Sequence, residues 1–480
     1  METAFEAREH NVGDPRKLVE TLASLAKRRG FIFPSSEIYG GVNAIYDFGP
    51  LGIELKRCIK NLWWRHMVEL RHDVVGIETG VIMHPRVWEA SGHVENFTDP
   101  LTDCRTCNAR WRADHLRTVA QHEADGDPLP APAAKALKDG RLDPAKLFCP
   151  NCGGQDLSDT RQFNLMFKTF VGPVEGSAAQ VFLRPETAQG MFVQFENVVN
   201  STRKRVPFGI AQQGKSFRNE ISPGNYIFRL REFEQCELEF FCKPGSDLEW
   251  LEHWRDERMR WWTKVLGVRE QNIRARRLEP DELAHYAAGN YEVEYLFPWG
   301  WGELEGIADR TDFDLKRHSQ FSGKEISFFD DQTQERYTPY VIEPSMGVDR
   351  CLFTLMIDAY DEEEVRGEKR VVLRFHPNVA PIQVAVLPLS KNPELLPTSR
   401  RVEELLRPHF RVEYDETQSI GRRYRRHDEI GTPYAVTIDF DTLQDEAVTI
   451  RERDSMAQER VPIASVADRL RDRFAASLAG

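Results

Sequence analysis

Between residues 160 and 345 the chain reads as a succession of short strand-like pieces, "QVFLRPE", "FGIAQQGKSFR", "IFRLREFEQCELEFF", "EISFFD" and "YTPYVIEPS", separated by turns and not by regular crossover helices. Neighbouring parallel strands need a long crossover, so this spacing favours an antiparallel sheet over a doubly wound one. One helix-rich piece, "SDLEWLEHWRDERMRWWTKVLGV", interrupts the series. A chain of 480 residues with ten Trp and 28 Phe has apolar material for roughly two to four domains.

Within this sheet the stretch "SFRNEISPGNYIFRLREFEQCELEFF", residues 216 to 241, predicts two strands joined around Pro223, Gly224 and Asn225. Period-two alternation puts Arg218 and Glu220 on one face of the first strand. In the second strand Phe233, Gln235, Glu237 and Glu239 share a face, opposite the more apolar Cys236, Leu238 and Phe240. Arginines match phosphate oxygens, a ring offers a stacking surface, and carboxylates take amines, hydroxyls or magnesium. A nucleotide would use all three; a solvated sheet face is the plainer alternative.

Three further segments carry similar chemistry. "IEPSMGVDRCLF" puts Glu343 and Ser345 at a strand end, then Gly347, then a helix whose apolar side is Val348, Cys351, Leu352 and Leu355, with Arg350 aimed over the sheet. Alone it reads first as an ordinary strand-Gly-helix turn. "FLRPETAQGMFVQF" ends a short strand on Arg184 and Glu186, followed by Gln189 and Gly190. "WGWGELEGIADRTDFDL" packs Glu303, Glu305, Asp309, Arg310 and Asp312 among glycines and tryptophans, suited to a cation or small amine, or to a surface turn.

Cys104, Cys107, Cys149 and Cys152, in "CRTC" and "CPNCGG", form two pairs of knuckle spacing on either side of a long Pro- and Ala-rich excursion. Four thiolates are the usual structural zinc set, and a reduced or vestigial knuckle is the alternative. Cys58, Cys236, Cys242 and Cys351 have apolar neighbours and read as core.

Around this centre, Leu18, Leu22 and Leu25 predict an amphipathic helix over residues 16 to 29. "YDFGPLGIELKRCIKNLWWRHMV" predicts a long helix entered at Pro50, whose Leu-Trp stripe needs a cover within the chain or from a second subunit. From about Ile382 the pattern becomes strand, helix, strand, helix, two strands and a final helix, a separate α/β domain. There, "GRRYRRHDEIGTP" gathers Arg422, Arg423, Arg425 and Arg426 around Tyr424, either a solvated face or a set for phosphate contact and base stacking.

The net charge of -12 disfavours non-specific polyanion binding without excluding a local basic surface. No apolar run approaches the ~18 residues of a membrane span and the amino terminus has no basic-then-apolar leader, so the expected address is the cytoplasm, with no membrane partner. Nucleophile elbow, HExxH and P-loop motifs are all missing from the sequence.

Taken together, residues 42 to 64 with Pro50, residues 216 to 241 with "FRNE", residues 343 to 354 with "GVDR", and the segments "RPETAQG", "GELEG" and "GRRYRRHDEIGTP" resemble the class II aminoacyl-tRNA synthetase family, within it the dimeric glycyl branch, over nearly the whole chain. The resemblance implies an α+β fold. Its catalytic domain would be built on an antiparallel sheet (1–97 and 160–375), with an inserted cysteine-containing subdomain (98–159) and an α/β anticodon-binding domain (382–480).

The resemblance also implies ATP-dependent attachment of glycine to tRNA(Gly) through a glycyl-adenylate, by a homodimer, with Mg2+ and a structural Zn2+. Arg218 would hold the α-phosphate with Glu220 beside it, Phe233 would stack on adenine, and Arg350 would contact the ATP tail and the other adenine face; these two arginines and Glu220 are the implied catalytic groups. Arg231, Gln235, Glu237, Glu303 and Glu305 would lie near ATP, its ribose or magnesium. Glu186, Glu343 and Ser345 would hold the glycine ammonium, and Arg422, Arg423, Arg425 and Arg426 would meet tRNA. An enzyme for another small amino acid, or a non-catalytic RNA-binding paralogue, are the rival readings.

Overall fold

The computed structural model describes residues 15–124, 126, 128–173, 180–284 and 286–479. The first fourteen residues of the expected catalytic segment 1–97 lie outside them. The amphipathic stretch forms α1 (Pro15–Arg29), and the Leu-Trp stripe forms α2 (Pro50–Trp64), with Pro50 in its first turn where a missing N–H costs nothing.

Of the five turn-joined pieces, "QVFLRPE" and "EISFFD" pair in smaller sheets of their own, while the other three enter a seven-stranded sheet. Its members are β1 (Val74–Gly76), β2 (Phe208–Phe217), β3 (Glu232–Cys242), β4 (Ile273–Arg277), β5 (Gly289–Phe297), β6 (Gly300–Thr311) and β7 (Tyr340–Gly347), in the order β4-β5-β6-β7-β3-β2-β1. Every pairing is antiparallel except β1 with β2. The helix-rich interruption becomes α3 (Asp247–Arg260), which packs with α2 and with α5 (Val348–Ala359) on one sheet face; α4 (Phe313–Ser322) lies between β6 and β7 in sequence. Cys236, Leu238 and Phe240 point into that core beside Trp254 and Trp262.

Residues 216 to 241 are not the tight hairpin that alternation suggests. β2 ends at Phe217 and β3 begins at Glu232, so Arg218 and Glu220 lie past the strand end, in a connection that contains a single turn of 3-10 helix, Tyr226–Phe228. Asn225 and Tyr226 both adopt left-handed φ, 55° and 60°, which breaks the extended run. A second departure sits in β6. Glu303 pairs with Glu294 and Glu305 with Val293, leaving Leu304 as the extra residue of a bulge. One extra residue reverses the alternation, so Glu303 and Glu305 face opposite sides.

The carboxy-terminal part is a five-stranded mixed sheet in the order β9-β8-β10-β11-β12, made of β8 (Val384–Pro388), β9 (Val412–Tyr414), β10 (Tyr434–Ile438), β11 (Ala447–Glu452) and β12 (Gln458–Pro462). Helices α6 (Leu396–Leu406), α7 (Ile420–Glu429) and α8 (Val466–Ala479) surround it. It meets the rest of the chain through α7: Asp428 takes Arg370 at 2.8 Å from the hairpin that follows α5, and Glu429 takes Arg28 of α1 at 3.0 Å. Among the described residues no helix is long and apolar enough to cross a membrane.

Gly52 in α2 marks the tightest approach in the first core, because a Cβ there would lie 1.9 Å from the Phe31 carbonyl oxygen. Helix propensity alone would make Gly52→Ala stabilising by about 1 kcal/mol. The contact predicts the opposite, a loss of about 1–3 kcal/mol from overpacking, read as a lower midpoint in urea or thermal unfolding.

Candidate active site

The sheet face not covered by α2, α3 and α5 carries a polar cleft of about 190 Å³ at the ends of β3, β6 and β7. Its walls include Arg218, Glu220, Phe228, Arg229, Phe233, Gln235, Glu303, Ser345 and Arg350. Arg218 stands 5.3 Å from the centre of the Phe233 ring and 5.4 Å from that of Phe97, steadied by a 3.1 Å hydrogen bond to the Pro185 carbonyl. Opposite, the N-terminus of α5 brings Arg350 over the Phe228 ring at 4.2 Å, where it donates to the Glu303 carbonyl oxygen at 2.7 Å. Three guanidinium groups, those of Arg218, Arg229 and Arg350, and two rings around one opening suit an anion joined to a flat ring system. A larger groove of about 560 Å³, between residues 77–87 and the helices Ala188–Val193 and Phe195–Thr202, has no such convergence of charge.

Beneath the cleft lies a second zone in which acidic groups dominate. Glu186, Glu237, Glu239, Asp314 and Glu343 are all buried, and Arg310 is buried among them. The Arg310 guanidinium grips Glu343 through Nη1 at 3.0 and 2.9 Å and Asp314 through Nε and Nη2 at 2.8 and 3.0 Å. Gln189 donates to Glu186 at 2.9 Å and Asp314 at 2.8 Å, and His93 Nε2 lies 3.5 Å from Glu186. Glu237 accepts from Ser345 Oγ at 2.6 Å, from Gln235 at 2.7 Å and from the Thr187 N–H at 2.9 Å. Gln235 and Ser345 therefore join the two zones.

The charges do not balance, and the protons respond. Burial raises Glu343 despite Arg310, helped by Glu237 and Glu186, to about 8. Burial and Glu186 raise Glu237, and burial with Glu343 lifts Glu239 well above the carboxylate range. Glu186 goes the other way: burial opposes its ionisation, but His93, Arg310 and Gln189 together hold it well below its ordinary value. Both Glu239 oxygens are buried without a hydrogen-bond partner. Such a cluster accepts a small cation with N–H donors.

Several expected ligand groups are committed elsewhere. Glu305, turned by the bulge, is 1% exposed on the α3 side of the sheet, where it binds Arg258 at 2.5 Å and the Trp262 N–H at 2.7 Å. Arg231 points back to the carbonyl oxygens of Asn43 at 2.9 Å and Glu220 at 3.1 Å and does not line the cleft. Glu237 lies below the opening and not on its wall. Arg423 is 0% exposed, bonded to the carbonyls of Pro388 and Asp415, so it holds α7 to its own sheet and is not a surface RNA contact. Arg426 pairs with Asp415 and Thr417, Arg425 lies 3.9 Å from Glu368, and Arg422 is exposed.

Reading the sequence alone missed His93, Phe97, Thr187, Phe228 and Asp314. Only the i,i+4 spacing of Arg310 and Asp314 could have signalled a pair, and only once α4 was known to start between them.

The four cysteines of the two CxxC segments come together as the spacing predicts, with all Sγ atoms within 4.8 Å of one another. Cys104 and Cys152 are 3.6 Å apart, Cys107 and Cys149 3.7 Å. Four sulfurs about 2.3 Å from a tetrahedral zinc would be about 3.8 Å apart. Asn108 and Gly153, at φ 59° and 70°, turn each knuckle, and Trp111 donates to the Cys149 sulfur at 3.2 Å. The donor set and its geometry fit zinc.

Comparison with known proteins matches residues 174–359 to the family described as "tRNA synthetase class II core domain (G, H, P, S and T)" and residues 383–473 to "Anticodon binding domain". A protein of Lysinibacillus sphaericus named "Glycine--tRNA ligase" is 54% identical over 452 residues, spanning 94% of this chain and 97% of its own length. A Thermobifida fusca protein of the same name is 52% identical over 466 residues, 95% and 98% of the two chains. Among solved structures, a prolyl-tRNA synthetase from Cryptosporidium parvum complexed with L-proline and AMP shares the fold at 13% identity, with a TM-score of 0.64 over 98% of this chain and 80% of its own. With sequence identity of this order along almost its entire length, and a class II core that contains both the cleft and the carboxylate zone, the chain belongs to the glycine-tRNA ligase family of class II aminoacyl-tRNA synthetases.

Proposed function

We propose that the cleft binds ATP and the carboxylate zone binds the glycine ammonium, so that one site joins them as glycyl-adenylate. The chain is an ATP-dependent glycine-tRNA ligase: it activates glycine and transfers it to tRNA(Gly). The observation that carries the division of labour is the contact between the two zones, where Glu237 is held by Gln235 and Ser345 at 2.7 and 2.6 Å. A molecule with an ammonium one carbon away from an acyl phosphate would span that contact.

In the first step a glycine carboxylate oxygen attacks the α-phosphorus, the bond to the bridging oxygen breaks, and pyrophosphate leaves. Both reactants are anionic, so Arg218 and Arg350 lower the barrier by meeting charge on the phosphate oxygens while adenine lies against Phe233. Glu220 and Glu303 are the carboxylates placed to orient the ribose or a divalent ion. Magnesium, when bound with ATP, neutralises part of the phosphate charge. In the second step a terminal ribose hydroxyl of tRNA attacks the activated carbonyl and AMP leaves. Glycine offers no side chain to grasp, so selection rests on exclusion: a methyl group in a hydrogen-bonded polar pocket displaces a partner.

We assign residues 1–97 and 160–375 to catalysis, 98–159 to the cysteine-containing insertion and 382–480 to anticodon binding. Arg422, with Arg425 and Arg426 beside it, is the basic group of α7 best exposed to RNA. The enzyme works in the cytoplasm as a homodimer, with the α2 region facing the second subunit; Ile53 on α2 and Leu70 just beyond it are exposed apolar groups.

ATP-pyrophosphate exchange across the standard amino acids should respond to glycine alone, and the same preparation should charge tRNA(Gly). Exchange with only alanine or serine, or with none, would overturn this reading. A pH effect follows from Glu343, which must give up its proton to pair with an ammonium. Glycine binding should release protons, and KM for glycine should fall as pH rises from about 6 to about 8; a flat profile would count against the pairing. Native mass spectrometry should give a two-chain assembly carrying one zinc per chain. Cys149→Ser with Cys152→Ser should lose the metal, and a monomer or unchanged metal content would remove the corresponding assignment.

A further inference from the structure

Lys56 is an unusual occupant of its position. It sits on the buried side of α2 with Leu55, Ile59 and Trp63, is 5% exposed, and its ammonium rests 4.0 Å from the Phe48 ring. Its Nζ donates to Asp349 Oδ1 at 2.8 Å and lies 2.7 Å from Glu234 Oε2. Asp349 uses its second oxygen to accept the Glu234 N–H at 2.7 Å, and Glu234 takes Lys60 at 2.6 Å. Two lysines and two carboxylates thus close a compact, neutral cluster. Burial opposes the charge on Lys56, but Asp349 and Glu234 more than offset it and raise its pKa.

The location of this cluster gives it a meaning beyond packing. Asp349, itself at the cleft's edge, precedes Arg350 at the start of α5, and Glu234 follows Phe233 in β3, so the two carboxylates are the chain neighbours of two cleft residues. The α2 helix, the β3 strand and the α5 helix, one from each of the three segments that resemble the class motifs, meet at a single ammonium. An apolar residue at 56 would avoid desolvating a charge, and replacing a buried ion cluster as a whole is often neutral for stability. What an apolar residue cannot do is fix the distance between two carboxylates.

We propose that Lys56 is a positioning residue for the nucleotide half of the reaction: by bridging Asp349 and Glu234 it sets the spacing of Arg350 and Phe233 across the cleft, and with it the binding of ATP. This rests on the reading of the cleft as the ATP site. The carboxylate zone touches the cleft through Gln235 and Ser345 but has further anchors of its own in Arg310, Gln189 and Thr187, so glycine binding should follow far less than ATP binding.

The test compares Lys56→Arg, Lys56→Met and the charge-free combination Lys56→Met, Asp349→Asn, Glu234→Gln with the wild type. Calorimetry gives Kd for Mg-ATP, exchange gives KM for ATP and for glycine, and thermal melting reports folding. Lys56→Met should weaken ATP between roughly ten- and a hundredfold, the scale of a misplaced binding group, with KM for glycine changed less than about twofold, and Lys56→Arg should restore most of the loss. The charge-free combination should melt near the wild type yet keep the ATP defect. Unchanged ATP binding in that protein, a parallel rise in KM for glycine, or failure of every variant to fold would overturn the proposal. Wild-type protein that binds ATP but shows no exchange with glycine would instead overturn the function proposed above, and the Kd comparison would still decide the role of Lys56.

Discussion

The guanidinium of Arg310, gripping Glu343 on one side and Asp314 on the other, makes the acidic interior of this sheet tenable. Charges this close in a low-dielectric interior interact several times more strongly than at a surface, and uncompensated carboxylates would simply take up protons. Arg310 satisfies two of the carboxyls in the cluster with paired, planar contacts, and His93 and Gln189 stabilise Glu186. Glu237 and Glu239 have no such partner, and burial raises both, as it raises Glu343 despite Arg310. The protein's own cations therefore neutralise this acidic interior only in part.

The sheet itself supplies the division into two zones. Its α2, α3 and α5 face is closed by Trp254, Trp262 and Phe240. The other face is apolar only toward Phe208, Phe241 and Phe195, and polar where β3, β6 and β7 run out into the cleft. The strands could carry both because alternate residues serve different faces: Cys236 and Leu238 belong to the core and Gln235 and Glu237 to the site. Extended backbone is therefore the economical way to place many ligand groups on one surface.

This is also why so much was legible in the sequence. The antiparallel sheet, the start of α2 at Pro50, the α/β succession after Ile382 and the cysteine quartet follow from local spacing, whereas the gathering of Arg218, Glu220, Phe233, Gln235, Ser345 and Arg350 was implied by the family resemblance, and Arg218 and Glu220 reach the cleft from beyond the strand end. The failures have one physical origin. Glu305 obeys alternation until a single extra residue at Leu304 turns it over, and a bulge has no reliable signature in one sequence. Arg231 and Arg423 have the chemistry of ligand groups, but backbone carbonyls also accept from a guanidinium, and here they do. Composition cannot tell which acceptor is nearer. His93 and Asp314 were missed for the converse reason, since each enters the site from an element distant in sequence.

Arg258 with Glu305, Arg370 with Asp428, and Arg423 with the Pro388 and Asp415 carbonyls share one solution to different joints: helix on sheet, domain on domain, and helix on its own sheet. All three arginines are 0% exposed. Removing one partner of such a contact leaves a buried charge without compensation, costing about 3–5 kcal/mol, whereas replacing the whole contact by apolar groups can cost nothing. The arginines thus contribute little net stability but fix orientation, because a planar fork accepts few alternative geometries. At the domain joint this has a consequence for α7. The helix richest in arginine spends Asp428 and Glu429 on the catalytic body and Arg423 on its own sheet, which leaves Arg422 as its most exposed basic group, with Arg425 and Arg426 half-buried beside it. Two of its four arginines, Arg423 and Arg426, serve contacts within their own domain, so the basic composition of the segment overstates its exposed charge.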